Sequence, residues 1–164
     1  MTRSLLLALL VSAAPLCSAY EVNGVTLGVN EKAVKKAFPS AYCKPLEWRS
    51  DAADRQCDDA KITYAGIRAR VTFYLQRDAV QAFTVRFGIN ERERIADHFR
   101  SRWGAPTSET TQSISRKERD PKQVTRVRWD RGNDHALLTA YLDRKRGMLE
   151  VWRGNFIDEI YRVR

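Results

Sequence analysis

Apolar and polar residues alternate with period two from Arg68 to Gln76. Ala69, Val71, Phe73 and Leu75 fall on one side and Arg68, Arg70, Thr72, Tyr74 and Gln76 on the other, the pattern of a half-buried strand. A shorter strand precedes it, with Ile62 and Tyr64 running to Gly66. A tight turn at Arg77-Asp78 leads into a third strand that holds Phe83, Val85 and Phe87 on one face. Val80 and Ala82 have the opposite parity, which a bulge between them would reconcile. Strands joined by turns this short are antiparallel, so the pattern predicts a meander with one wet face.

The same reading extends both ways. Glu21–Leu27 predicts a short strand. Asn30 is placed to cap a first helix carrying Val34, Ala37 and Phe38, which Pro39 closes. Residues 41–60 are polar and irregular, with Trp48 as the anchor to the core. Asn90, paired with Glu93 in a capping-box-like arrangement, is placed to cap a second helix. Its apolar stripe is Ile95, Phe99 and Trp103, and Gly104 and Pro106 end it. Thr107–Lys122 is polar and predicts a long hairpin, with the charged run Arg116–Lys122 at its tip. Val127 and Trp129 then share one strand face, opposite Arg126 and Arg128. Turns at Arg131–Asp134 and Lys145–Gly147 bound the last strands, and Asn155–Arg164 forms a helix or a last strand.

Two echoes organise these elements. Val85–Arg92 repeats the pattern of Val25–Lys32, namely V-x-apolar-G-apolar-N-E-basic. Leu138–Arg144 repeats that of Val71–Arg77, sharing T-x-Y-L-x-R. The offset of about 60 residues is of the kind that marks internal repeats. The expected fold is α+β: two tandem helix-plus-antiparallel-meander units, about 20–84 and 85–154 plus a C-terminal tail, forming one sheet with both helices packed on one face. The other face would show Arg68, Arg70, Tyr74, Arg86, Arg126, Arg128, Tyr141 and Trp152.

The first residues read differently. Arg3, the apolar run Leu5–Val11 and small residues ending at Ser18-Ala19 form a signal-peptide pattern, and the run is too short to span a bilayer. Cleavage after Ala19 leaves one domain, 20–164, in the periplasm or secreted. Cys17 follows Leu16 rather than the small residue a bacterial lipid-attachment site wants, which favours a product without a lipid anchor. Cys43 and Cys57 are then read as one disulfide, the alternative being two free thiols. The full sequence carries a formal charge of +9, and removing the leader lowers it to about +8. Such an excess suits anionic partners, although the arginines are spread along the chain as on a solvated surface.

The segment from Gly28 to Pro39, G-apolar-N-x-x-x-V-x-x-x-F-P, resembles the helix opening of the SmpA/OmlA-type outer-membrane lipoproteins. So does Gly88–Pro106, from G-I-N to W-G-A-P, with Trp129 in the strand that follows. The tandem arrangement with a disulfide just after a helix is similar to the secreted β-lactamase inhibitor proteins. Both resemblances imply a helix-plus-antiparallel-sheet design that works by binding other proteins.

No catalytic pattern stands out. His98 lies beside a helix stripe, His135 near a turn, and Asp58-Asp59 in a loop. The serines lack a nucleophile-elbow context, and no ligand spacing suggests a metal or cofactor. The arginine and aromatic face is the better candidate, since arginines hold acidic groups bidentately. The expectation is a non-enzymatic module that engages an acidic protein or an anionic envelope component (lipid or lipopolysaccharide). Export argues against nucleic acid. The alternative is an inhibitor of an exported hydrolase that acts through Arg116–Lys122.

Overall fold

The computed structural model describes residues 19–114, 122–142 and 144–162. The leader expected over 1–19, with Cys17, therefore lies outside the described residues save for its last position. So does the hairpin tip Arg116–Lys122, save for Lys122.

The chain opens on a two-residue-stranded hairpin, β1 (Glu21–Val22) and β2 (Val25–Thr26), where a single strand was expected. Asn23 and Gly24, both at positive φ, turn the chain between them. Helix α1 (Glu31–Ala37) follows, and the Asn30 side chain accepts a hydrogen bond from the Ala33 N–H at 2.9 Å, as the sequence predicts. A meander of four strands comes next: β3 (Tyr42–Pro45), β4 (Arg55–Tyr64), β5 (Ile67–Gln76) and β6 (Ala79–Gly88). Helix α2 (Arg92–Trp103) leads into four more: β7 (Ser108–Ile114), β8 (Lys122–Arg131), β9 (Asp134–Tyr141) and β10 (Arg146–Arg153). The short helix α3 (Phe156–Glu159) comes last.

All eight of these strands form one antiparallel sheet in the order β3-β4-β5-β6-β10-β9-β8-β7. The fold is α+β. The last strands of the two meanders, β6 and β10, meet at the centre of the sheet, with Leu149 opposite Val85 and Met148 opposite Arg86.

Arg77 and Asp78 both take positive φ, 50° and 61°, giving the expected tight turn. Its strain is offset by two hydrogen bonds: Arg77 N–H donates to Asp54 and Asp78 accepts from the Glu31 N–H, each at 2.9 Å. Tyr74 pairs with Ala82 and Leu75 with Val80, so Gln81 is the extra residue of a bulge where the sequence parity breaks. The second helix begins later than the sequence suggests. Ile89–Glu91 forms a 3-10 turn, which takes Asn90 out of the cap position, and no side chain caps α2. At its other end Gly104, at φ 81°, donates its N–H to the Arg100 carbonyl and stops the helix.

The main core lies on one face of the sheet. Val34 and Phe38 from the α1 region and Ile95, Ala96, Phe99 and Trp103 from α2 pack there on Phe73, Phe83, Val85, Leu138, Leu149 and Trp129. The Cys43–Cys57 disulfide forms between directly opposed residues of β3 and β4. On the other face a second, smaller cluster gathers Tyr74, Ala82 and Trp152 beneath Ala52, Ala53, Phe156 and Ile160. The sequence does not predict this cover, which comes from the loop before β4 and from α3. Trp48 anchors it rather than the main core, donating its indole N–H to the Ile160 carbonyl at 2.9 Å and stacking on Tyr161. Among the described residues no helix is long and apolar enough to cross a membrane.

Candidate functional site

Directly opposed residues in an antiparallel ladder share a face, so the register fixes what the polar face displays. One row runs Arg70–Arg86–Met148–Thr139–Arg126, the next Thr72–Thr84–Glu150–Leu137–Arg128, and the next Tyr74–Ala82–Trp152–His135. At the far end of the β6–β10 ladder Arg146 stands opposite Gly88 and Tyr141.

Here a cleft of about 700 Å³ opens, lined by Arg68, Arg70, Arg86, Arg144, Arg146 and Tyr141, with Met148 in its floor. Among the described residues, none of these five arginine side chains forms an ion pair or a side-chain hydrogen bond. Elsewhere on the surface the pairing is different. Arg55 binds Glu31, Arg100 binds Asp97 and Glu109, Arg102 binds Glu21, and Arg153 binds Asp134. Five like charges around one concavity repel one another, and an anion in the cleft would relieve that repulsion. Arg144 lies 5.6 Å from the Tyr141 ring centre, and this cation–π contact steadies one wall.

Beside the cleft Gly147 pairs with Phe87 across the ladder, and a Cβ there would collide with the Phe87 ring. Any larger residue must displace that ring, which belongs to the main core.

Toward the aromatic row the cleft meets a narrower slot of about 120 Å³, bounded by Tyr74, Ala82, Trp152, Phe156 and Tyr161. Arg86 and Met148 line both cavities. Glu150 also lines the slot, and burial pushes its carboxyl above the ordinary range against the opposing pull of Arg86. Burial likewise raises the Tyr74 hydroxyl, to about 12.

The raised pKa of Glu150 fixes the sign of a pH effect. Below its ordinary value of 4.5 the carboxyl is protonated in both folded and unfolded chains. As pH rises, the unfolded chain ionises first, and stability is lost until the folded carboxyl has also titrated. Glu150→Gln, which cannot ionise, is expected to match wild type in acid and to exceed it in stability at neutral pH. Denaturant midpoints measured across that range check this, and a gap that closes toward neutral pH would contradict it.

The structure separates the residues expected on the open face. Arg68, Arg70, Arg86 and Tyr141 meet at the cleft. Arg126 shares their face but donates to Gln112 at 3.2 Å. Arg128 is tied to Asp130, with Nε 2.9 Å from both carboxylate oxygens, and lies 5.6 Å from the Trp152 ring centre. Two positions need correction: Tyr74 and Trp152 are buried, 9% and 6% exposed, because the loop before β4 and α3 cover that end of the sheet. Arg144 and Arg146 were missed. The sequence places Arg144 at the end of the Leu138–Arg144 echo and Arg146 in the turn after it, and only the register of β10 brings them beside Arg68, Arg70 and Arg86.

The other candidate groups have structural partners. Asp59 is buried, accepting from the Ser40 hydroxyl at 2.6 Å and the Lys61 N–H at 3.1 Å. Asp58 accepts from Thr72 at 2.6 Å and Gln56 at 3.0 Å. The His98 ring packs among Tyr64 and Phe99, and burial lowers its proton affinity. His135 Nδ1 lies 2.6 Å from Asp130, whose carboxyl burial would raise but which hydrogen bonds from His135 and Arg128 hold below the usual value. Among the described residues the His/Cys/acid group with metal-ligand spacing is Glu31, Cys43 and Cys57, and its two sulfurs are bonded to each other.

No family model, curated protein or solved structure matches this chain.

Proposed function

We propose that this protein is an exported, non-enzymatic binding module that engages an anionic envelope component or an acidic protein. Its two halves, about 20–84 and 85–154, are read as tandem helix-plus-meander units whose sheets join along β6 and β10. The disulfide suits an oxidising compartment. The observation that carries the binding reading is the cleft of five arginines that form no ion pair among the described residues, with Glu150 within electrostatic reach of Arg86. It moves the expected surface away from Arg126, Arg128, Tyr74 and Trp152 and onto Arg68, Arg70, Arg86, Arg144, Arg146 and Tyr141. The alternative reading, inhibition of an exported hydrolase, depends on Arg116–Lys122, and nothing on the described surface favours it.

The test is a calorimetric titration with inorganic phosphate and pyrophosphate at low and moderate salt. The variant changes Arg70, Arg86 and Arg146 together to Ser. Hydrogen bonds to charged groups contribute about 1.5–3 kcal/mol each, so the triple change is expected to weaken binding about a hundredfold or more. Its unfolding midpoint is expected to hold or rise, because self-repulsion falls. Equal affinity in the variant and wild type would rule out this cleft.

A further inference from the structure

Resting on the anion-binding reading, we propose that the arginine cleft and the adjoining slot are one site, which takes a small anion bearing a single aromatic or short apolar arm. The two cavities share Arg86 and Met148 in their walls, a directly opposed pair on β6 and β10. From there the character of the same ladder changes in steps: Gly88/Arg146, Arg86/Met148, Thr84/Glu150, Ala82/Trp152. At about 6.8 Å for every two residues, these four rows span roughly 20 Å. Cationic side chains crowd one end and aromatic walls the other, so a ligand lying along the ladder meets charge first and apolar surface second.

The size of the slot limits the arm. A dry cavity of about 150 Å³ holds one benzene ring, and this slot is about 120 Å³. One ring or a chain of about six carbons fills it, whereas a pair of long acyl chains does not fit. Its rim is open to entry, with Ile157 38% and Tyr161 70% exposed. Small residues make room: Ala82 stands between Tyr74 and Trp152 in the cross-strand row. Thr84 and the Glu150 carboxyl stand between the two ends, beside the position of the oxygen that would link arm and anion. That carboxyl makes no hydrogen bond or ion pair among the described residues.

Phenyl phosphate, inorganic phosphate, phenol and phosphatidylglycerol vesicles are the probes, read by calorimetry and by the fluorescence of Trp152 against a Trp152→Phe control. Phenyl phosphate is expected to bind about ten- to a hundredfold more tightly than inorganic phosphate, the gain from burying one ring. Ala82→Leu, which fills the slot, should abolish that gain and leave phosphate binding unchanged. Tyr161→Ala strips an exposed wall, losing its stacking on Trp48 but leaving the main core untouched, and should reduce the gain even if Ala82→Leu fails to fold. Phosphate binding with no advantage for phenyl phosphate overturns the composite site and leaves the anion cleft standing. So does an advantage that survives both variants. Binding of neither phosphate overturns both readings. Capture of vesicles without preference for phenyl phosphate overturns the small-ligand assignment in favour of a lipid surface.

Discussion

Trp129→Ala is expected to lower the unfolding free energy by about 3–5 kcal/mol, the range for removing a buried aromatic. Trp129 is 2% exposed and sits on β8 beneath α2. Phe99 meets its ring edge-on at 5.5 Å and stacks on Trp103 at 4.2 Å, and Trp103 in turn meets Tyr20 at 4.6 Å. The indole N–H also donates to the Gly104 carbonyl at 3.1 Å, tying the end of α2 to the sheet. Alanine would therefore open a cavity between helix and sheet and leave a helix-terminal carbonyl without its partner. Trp129→Phe separates the two effects, since it keeps much of the ring but loses the hydrogen bond. Its cost should be nearer the 1–3 kcal/mol of an unsatisfied polar group. Urea denaturation of both variants checks the pair, and a phenylalanine variant as damaged as alanine would show that the lost N–H bond, not the buried ring, dominates.

Breaking the Cys43–Cys57 bond should cost about 3 kcal/mol, the chain-entropy value for a closed loop of about 15 residues. The bonded residues are 14 apart in sequence, and Cys57 has no exposed surface. The loop between them holds Trp48, Ala52 and Ala53, which cover the aromatic end of the polar face. Reduction therefore reaches beyond the edge strand β3. With the tether gone, β3 is held chiefly by its ladder to β4, and the loop regains its freedom over the slot. The measurement is guanidinium unfolding of wild type with and without reductant, beside Cys43→Ala/Cys57→Ala. A loss well under 1 kcal/mol would mean that the loop is held in place without the bond.

The central meander was legible because its residues obey a local rule. The parity of Arg68–Gln76 gives the strand, and the parity break at Val80 and Ala82 gives the bulge at Gln81. The stripe Ile95, Phe99, Trp103 gives the buried face of α2 in the same way. What the sequence hides is pairing between distant segments. Nothing in Arg144–Gly147 says that β10 will lie against β6, so the basic turn and the basic strand face read as separate features. The second cluster was hidden for a related reason. Ala52, Ala53, Phe156 and Ile160 follow no period, and α3 is only four residues long, too short for a stripe. Tyr74 and Trp152 were consequently expected in water. The start of α2 was misread because Asn90 and Glu93 have capping spacing, while Ile89–Glu91 closes into a 3-10 turn before the helix begins.

The strand order also governs the sequence of events as the chain emerges. β10 pairs on one side with β6 and on the other with β9, so the middle of the sheet is supplied by the last strand to be made. Until Arg153 is available, β6 and β9 are both bare, hydrogen-bond-hungry edges, and β6 carries Phe83, Val85 and Phe87. Long apolar edges of this kind invite pairing with other chains. A carrier that keeps the chain unfolded until β10 is released would avoid that hazard, and a product cut short before Arg146 would keep both open edges.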